Sequence, residues 1–478
     1  MGFVQGIHRD QLVMFPESLD EYIGDDNPVR FIDAFVESLD LQALGFRRAV
    51  PQETGRPPYH PGALLKLYIY GYLNGVRSSR KLEKEANRNV EVMWLLGKLA
   101  PDFKTIADFR RDNGEAIRRG CREFTAVCRE LELFGGQLVA IDGSRFKAVN
   151  SRRRNFTKPK LKELMKKADK KIREYLDELD AADEEESDHE KPTAAELQEK
   201  IEKLKSRKLD YQALEERLEE SGESQISLTD PDARLMWRGP GSWHEVSYNV
   251  QISVDAKNKL IVDHEVTNAC TDTDQLSPMA IRAKETLGVE ELEVLADKGY
   301  YDSEQVATCA KEGISPYIPK LNNSSNKREG LYSKEDFRFD AETNTYRCPA
   351  GEVLTYRYKS HRDGREIHYY ATGACKTCSQ KDCCTRNQKG RKIWRWVDEA
   401  YLEAMARRVR AQPEKVKQRR EIVEHPFGTM KHSMKQGDFL TRGMANVRTE
   451  MSLTVLVYNI KRALRLKGTQ RLMAALVT

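Results

Sequence analysis

Apolar positions along the chain follow two periods, and the switches between them divide it. From about residue 17 to 130 the spacing is helical. Leu64, Leu67, Tyr68 and Tyr72 recur three to four apart after His60-Pro61-Gly62, a helix start. Ser78-Ser79-Arg80-Lys81-Leu82-Glu83 reads as a capping-box-like start, Val90 to Lys98 as a further helix, and another helix begins at Thr105. Short helices with tight connections suggest a helix-turn-helix arrangement. Residues 136–149 then alternate like a strand pair.

Helical spacing returns over residues 158–222. Leu161, Met165, Ala168, Ile172, Tyr175 and Leu179 alternate four and three apart. Leu197, Ile201, Leu204, Tyr211 and Leu218 continue the pattern, interrupted by Lys208 and Glu215. These are two coiled-coil-like arms, separated by Asp183-Glu184-Glu185-Glu186 and Pro192, and an antiparallel hairpin is expected. It would serve equally as a dimerisation arm or a spacer.

Paired strands are expected at Val246 to Val254 and Leu260 to Val266, and a helix from Asp274 to Thr286. A strand ending at Asp297, a helix from Asp302 to Lys311 and a strand from Ser315 to Ile318 follow. Such an order fits an α/β ribonuclease-H-like core split by insertions. Residues 321–400 interrupt it again. Val416 to Lys435 reads as a basic helix that Pro426 kinks or restarts, and Met451 to Leu466 as an apolar helix packed on the core. The expected division is 1–130, an all-α N-terminal DNA-binding domain; 131–157 and 223–320, the two parts of the core; 158–222, the hairpin; 321–400, a Cys-containing insert; and 401–478, C-terminal helices completing the core.

At 478 residues the chain suits two to four domains. Its 80 basic and 75 acidic residues leave a net charge of only +5. Acid is concentrated at 177–190 and 215–223, so the remainder is clearly basic, as phosphate binding requires. No run of about 18 apolar residues exists, and Met1-Gly2-Phe3-Val4-Gln5 lacks the layout of a signal peptide. A cytosolic protein is expected, with its nine Cys as thiols or metal ligands rather than disulfides.

Three acids stand in telling settings. Asp142 ends the apolar run Leu138-Val139-Ala140-Ile141, and Asp297 ends Val294-Leu295-Ala296. Glu424 lies in a helix-compatible stretch with Lys431 seven positions on. Any one acid after an apolar run is ordinarily a turn residue. Together, two strand-end acids and a helical one suit a pair of Mg²⁺ (or Mn²⁺) ions for phosphodiester cleavage, because Mg²⁺ takes hard oxygen ligands. Arg145, Lys147, Arg152, Arg153 and Arg154 follow the first acid and suit substrate phosphates. Arg80, Lys81, Lys84, Arg88, Lys104, Arg110 and Arg111 are further candidates for DNA contact, against the alternative of a solvated helical face. Cys375-x-x-Cys378, with Cys348 and Cys384, forms a possible structural zinc set with Cys383 left over. A metal-free insert with ordinary thiols is the alternative. Nearby Arg391, Lys392, Arg395, Trp394 and Trp396 suggest DNA contact by charge and stacking, although alternate Trp residues more often pack one face of a strand.

Ala140-Ile141-Asp142-Gly143-Ser144 and Leu295-Ala296-Asp297-Lys298-Gly299-Tyr300-Tyr301 resemble the first two acidic motifs of bacterial insertion-sequence transposases of the DDE type. Arg420, Glu424 and Lys431 fit the R-(3)-E-(6)-K part of the third motif, while Lys417 stands where the family favours Tyr. Tyr59 to Leu67 and Lys104 to Arg111 resemble the family's N-terminal domain, and Ser247-Tyr248-Asn249-Val250-Gln251 and Cys348-Pro349-Ala350-Gly351 its middle. The group named after insertion sequence eleven-eighty-two is the most similar.

The resemblance implies a transposase that cleaves element ends and joins them to target DNA. Asp142, Asp297 and Glu424 would hold two Mg²⁺, with Arg420, Lys431 and Lys298 near substrate phosphates. Its partners would be double-stranded DNA (terminal inverted repeats and target), and it would act as a homodimer in the bacterial cytoplasm, at the nucleoid. Rival readings are a metal-dependent nuclease that cuts without joining, and a transposase-derived DNA-binding protein without chemistry. A tyrosine recombinase would need an Arg-His-Arg setting that no spacing here supplies.

Overall fold

The computed structural model describes residues 18–50, 57–150, 152–184, 194–237, 244–320 and 325–476. Of the expected break between the arms, Asp183 and Glu184 are helical, while Glu185, Glu186 and Pro192 lie outside the described residues, as do the N-terminal Met1 to Gln5 and Trp243.

Six helices come first: α1 (Pro28–Glu37), α2 (Pro61–Leu73), α3 (Ser79–Arg88), α4 (Val90–Leu96), α5 (Phe103–Asp112) and α6 (Gly114–Glu130). Caps explain their starts. Asn27 accepts from the Val29 amide ahead of Pro28, and His60 from the Gly62 amide. Helix α5 starts two residues before Thr105 because Asp102 accepts from the Lys104 and Thr105 amides. Ser78 does precede α3, but its side chain makes no cap bond. Lys81 occupies the third helical position and has no acceptor to complete a capping box.

The long strand β1 (Leu138–Lys147) replaces the strand pair expected at 136–149. It runs through Gly143 without turning, because every residue from Val139 to Lys147 has a partner on a second long strand. Between the two lie β2 (Asn155–Thr157), α7 (Lys158–Glu184), α8 (Ala194–Glu220), β3 (Gln225–Ser227) and β4 (Arg234–Met236). Helices α7 and α8 pack side by side, with Leu161, Leu214 and Leu218 buried against Phe156 at the root where β2 pairs β3. A Lys208–Asp169 ion pair at 2.6 Å crosses between them.

The chain then returns through β5 (Glu245–Asp255), β6 (Ile261–Thr267), α9 (Leu276–Leu287), β7 (Leu292–Leu295), α10 (Ser303–Lys311) and β8 (Ile314–Tyr317). β5 lies antiparallel to β1 and is flanked by β6 and β4, while β7 and β8 run parallel to β1 on its other side. Helix α9 covers one face, with the Ser253 hydroxyl donating to the Met279 carbonyl and Arg282 pairing with Asp263 at 2.7 Å.

After β8 come α11 (Ser325–Arg328), β9 (Arg338–Asp340), β10 (Thr345–Arg347), β11 (Val353–Arg362), β12 (Arg365–Ala371), α12 (Lys381–Cys384) and β13 (Lys392–Trp396). These strands form their own antiparallel sheet in the order β13-β12-β11-β10-β9. Phe337, Tyr346, Leu354, Tyr370 and Ile393 make a small core separate from the main one.

Four helices close the chain: α13 (Glu399–Ala411), α14 (Pro413–Gly428), α15 (Met444–Lys467) and α16 (Thr469–Ala474). Helix α14 runs through Pro426, and a π-helical segment, Thr429–Ser433, follows it directly. It covers the sheet face opposite α9, with the Phe427 and Phe146 rings 6.2 Å apart. Helix α15 begins seven residues before the expected Met451. It is buried almost all round because the sheet lies on one side and α2 and α6 on the other. Asn459 on it accepts from the Ile261 amide and donates to the Ile261 carbonyl, at 2.9 and 2.8 Å. Asn459→Leu strands two buried backbone groups at once. It should cost about 2–4 kcal/mol, read as a lowered thermal midpoint of the full chain.

Candidate active site

Strands β1 and β7 are neighbours in parallel register, with Ala140 opposite Leu295. Two residues further along each strand stand Asp142 and Asp297. Side chains two apart share a face, so both acids leave the sheet on the same side, Asp297 just past the carboxyl end of β7 and Asp142 midway along the longer β1. Open α/β sheets bind ligands at such ends. The Asp297 carboxylate accepts from the Gly299 amide at 2.7 Å and caps a 3₁₀ turn, Lys298–Tyr300.

Asp142 is half-buried, and its carboxyl is raised from the ordinary range to about 6. Burial is the main cause. Arg419 opposes it through an ion pair at 3.2 Å, and the charges of Asp297 and Asp272 push in the same direction as burial.

Asp272 belongs to a network on the other side of β1. It accepts from Asn249 and from Gln251, both at 2.7 Å, and pairs with Arg145 at 3.4 Å. Tyr300 donates to Gln251, and burial followed by Asp272, Asp142 and Asp297 keeps the Tyr300 hydroxyl protonated well above its usual range. Gly143 makes room for this network: a Cβ there would stand 2.3 Å from the Gln251 amide nitrogen and 2.8 Å from the Asp272 carboxylate. Asp272 and Tyr300 were not singled out by sequence as site residues. The available signal was the position of Asn249 and Gln251, both facing as Arg145 and Gly143 do.

Helix α14 delivers Arg419 to Asp142, but Glu424 does not join the two aspartates. Five residues further on, it lies about 7.5 Å along the axis and about 140° around it. It is exposed and pairs with Arg420 at 2.6 Å. Among the described residues no three His, Cys, Asp or Glu side chains are grouped closely enough to hold a metal ion. Lys431, in the π segment, bonds the Ser144 hydroxyl and, at 3.1 Å, the Arg145 carbonyl, so it does reach β1. Lys298 is exposed beside Asp297.

The basic candidates separate by burial. Arg80, Lys81, Lys104 and Arg153 are exposed. Lys147 and Arg111 are exposed too, although Lys147 pairs with Glu245 and Arg111 with Asp108 and Asp112. The side chain of Arg152 lies outside the described residues. Arg145 is largely buried and faces Asp272, so it organises protein rather than meeting a phosphate at the surface. Arg110 lies over the Tyr68 ring at 5.6 Å and has a buried Nη1. Arg395 is buried against Glu403 and Tyr346. Trp396 is likewise buried, whereas Trp394 is half exposed with Lys334 4.1 Å from its ring centre. Cys348, Cys375, Cys378 and Cys384 line one cavity, while Cys383 is exposed outside it.

Residues 17–112 match the family described as Transposase domain (DUF772), and residues 347–464 match Transposase DDE domain. No curated protein matches. A solved cryo-EM structure, the piggyBac transposase synaptic complex with hairpin DNA, is 8% identical with a TM-score of 0.29, covering 94% of this chain and 79% of that chain. So slight a likeness carries no argument. The two family matches define an enzyme that moves DNA segments. The chain belongs to the DDE transposases of insertion sequences. Enzymes with this domain use divalent metal ions and act on DNA. No helix among the described residues is long and apolar enough to cross a membrane.

Arg419 holds the Asp142 carboxyl down, so Arg419→Gln should raise it above about 6. The acid limb of the DNA-cleavage pH profile should then move to higher pH. An unmoved limb would mean that the two groups are not coupled during turnover.

Proposed function

We propose that the chain cuts element ends and joins them to target DNA with Asp142, Asp297 and Glu424 holding two Mg²⁺ ions. The observation that carries this reading is the placing of Asp142 and Asp297 side by side on adjacent parallel strands, with the Asp142 carboxyl raised to about 6. Two carboxylates concentrated in a half-buried spot repel each other, and a hard cation relieves that repulsion. When bound, the ions would activate the attacking oxygen and stabilise the leaving one. Glu424 completes the set by leaving Arg420 and turning inward when DNA is present. An exposed ion pair of this kind is screened by water and holds Glu424 only weakly, so little opposes the swing. Lys431 and Lys298 then lie along the path of the scissile strand.

The strand order β6-β5-β1-β7-β8, with the first three antiparallel and the last two parallel to β1, supports a ribonuclease-H-like core. In this division the helices before residue 130 form a DNA-binding domain, the arms and the second sheet are insertions, and the helices after 400 complete the core. Arg80, Lys81, Lys104, Arg111, Lys147 and Arg153 remain candidates for phosphate contact. Two element ends must be held together, which favours a homodimer acting in the bacterial cytoplasm.

Asp142→Asn removes a metal ligand at nearly constant shape. It should lower strand cleavage in Mg²⁺ by about 10³-fold or more while leaving DNA binding intact, as measured with labelled element-end DNA. Full cleavage by the variant refutes the assignment. Adding a target plasmid separates the transposase from a simple nuclease: joined products are expected, and cutting alone would favour the nuclease.

A second outcome follows from protonation. The folded state holds the Asp142 proton up to about pH 6, whereas the unfolded chain releases it near pH 4. Stability therefore falls as pH rises through that window, and a bound cation restores it above pH 6. The rise in thermal midpoint caused by millimolar Mg²⁺ should be largest above pH 6 and fade below it. A rise that does not depend on pH would count against Asp142 as a ligand.

A further inference from the structure

The Cys-bearing sheet takes no part in the chemistry above, yet it brings four thiols to one cavity from three separate segments. Cys348 follows β10 and opens a tight turn. Its amide donates to the Glu352 carbonyl and its carbonyl accepts from the Gly351 amide, both at 2.9 Å. Gly351 sits at φ +87°, a left-handed conformation open to glycine at little cost. Cys375 lies in a 3₁₀ turn after β12, Gly373–Lys376. Cys378 accepts through its carbonyl from the Lys381 amide at 3.2 Å, and Cys384 ends α12. All four line a cavity floored by Phe337 and Leu354, at the edge of the small aromatic core. Gly390 presses on Cys375 from outside, since a Cβ there would stand 2.6 Å from the Cys375 Cβ. Cys383 is adjacent in sequence to Cys384 but points elsewhere, which divides the five thiols of this region into four and one.

We propose that Cys348, Cys375, Cys378 and Cys384 bind one structural zinc ion that ties the ends of β10 and β12 to α12. Four thiolates of this spacing, from two tight turns and a helix end, suit tetrahedral Zn²⁺. The thiols do not yet stand in ligand geometry. Protonated thiols do not attract one another, and metal binding deprotonates them and draws them to about 2.3 Å from a common centre. The ion acts as a cross-link for a sheet whose buried core holds only five residues. Too small a core ordinarily needs a metal or a disulfide to hold it. The site is independent of the aspartates, so Asp142→Asn should keep its zinc.

The test uses the full chain purified without chelator from zinc-supplemented culture, with metal content measured by mass spectrometry. Wild type and Cys383→Ser should each carry about one zinc per chain, and Cys378→Ser less than about a tenth of that. A mercurial reagent should release the wild-type zinc as thiols are titrated. Chelation should speed proteolysis within residues 321–400 several-fold while the helices before residue 130 stay resistant. That chelation arm needs no variant, so it holds even if Cys378→Ser fails to fold. Less than about half a zinc per chain in wild type, equal zinc loss from Cys383→Ser, or chelation without effect on proteolysis would overturn the proposal.

Discussion

A carboxylate held half-buried beside a second one is the constraint from which the rest of this molecule follows. Asp142 sits where β1 leaves a wholly apolar stretch, and placing a charge there costs free energy. Its raised carboxyl is the measure of that cost. The surrounding residues limit it without removing it. Arg419 supplies one positive charge from α14, and the Gly143 amide supplies one donor at 3.0 Å. On the far side of β1, Arg145 neutralises Asp272, so that acid adds little further repulsion. What remains is a surplus of negative charge open to a cation.

Holding that geometry requires parts of the chain that are far apart in sequence. Arg77, just before α3, donates to the Asp438 and Lys435 carbonyls and pairs with the buried Glu450 at 3.3 Å. Glu450 in turn accepts from the Leu440 and Thr441 amides. This one carboxylate fastens the N-terminal helices to the segment between the π turn and α15. The same segment bonds β1 through Lys147 and Gly437, so one stretch of chain touches both the helical end and the strand that carries Asp142.

Sequence reading recovered what depends on short-range pattern. Apolar runs ending in Asp142 and Asp297 became adjacent parallel strands, and most helices appeared within a few residues of their expected ends. What it missed depends on partners. A count of basic residues cannot tell Lys104, which is exposed, from Arg145, Arg110 and Arg395, which are spent on internal acids and rings. The strand pair at 136–149 failed for a related reason: alternation marks extended chain but not where it turns, and the partner that keeps it one continuous strand, from Ser247 to Asp255, is more than a hundred residues away. The outward direction of Glu424 was also hidden, because motif spacing fixes distance along a helix but not which side meets the sheet.

The order of emergence from the ribosome adds a last consequence. Asp142 and Asp297 are made first, and 424 − 297 = 127 residues separate the second acid from Glu424. At synthesis rates of about 5–20 residues per second, that interval lasts about 6–25 s. Throughout it the nascent chain carries both aspartates without Arg419, the cation that α14 brings to Asp142. On the proposed assignment, a chain cut short before α14 lacks both Arg419 and Glu424 and is expected not to cut DNA.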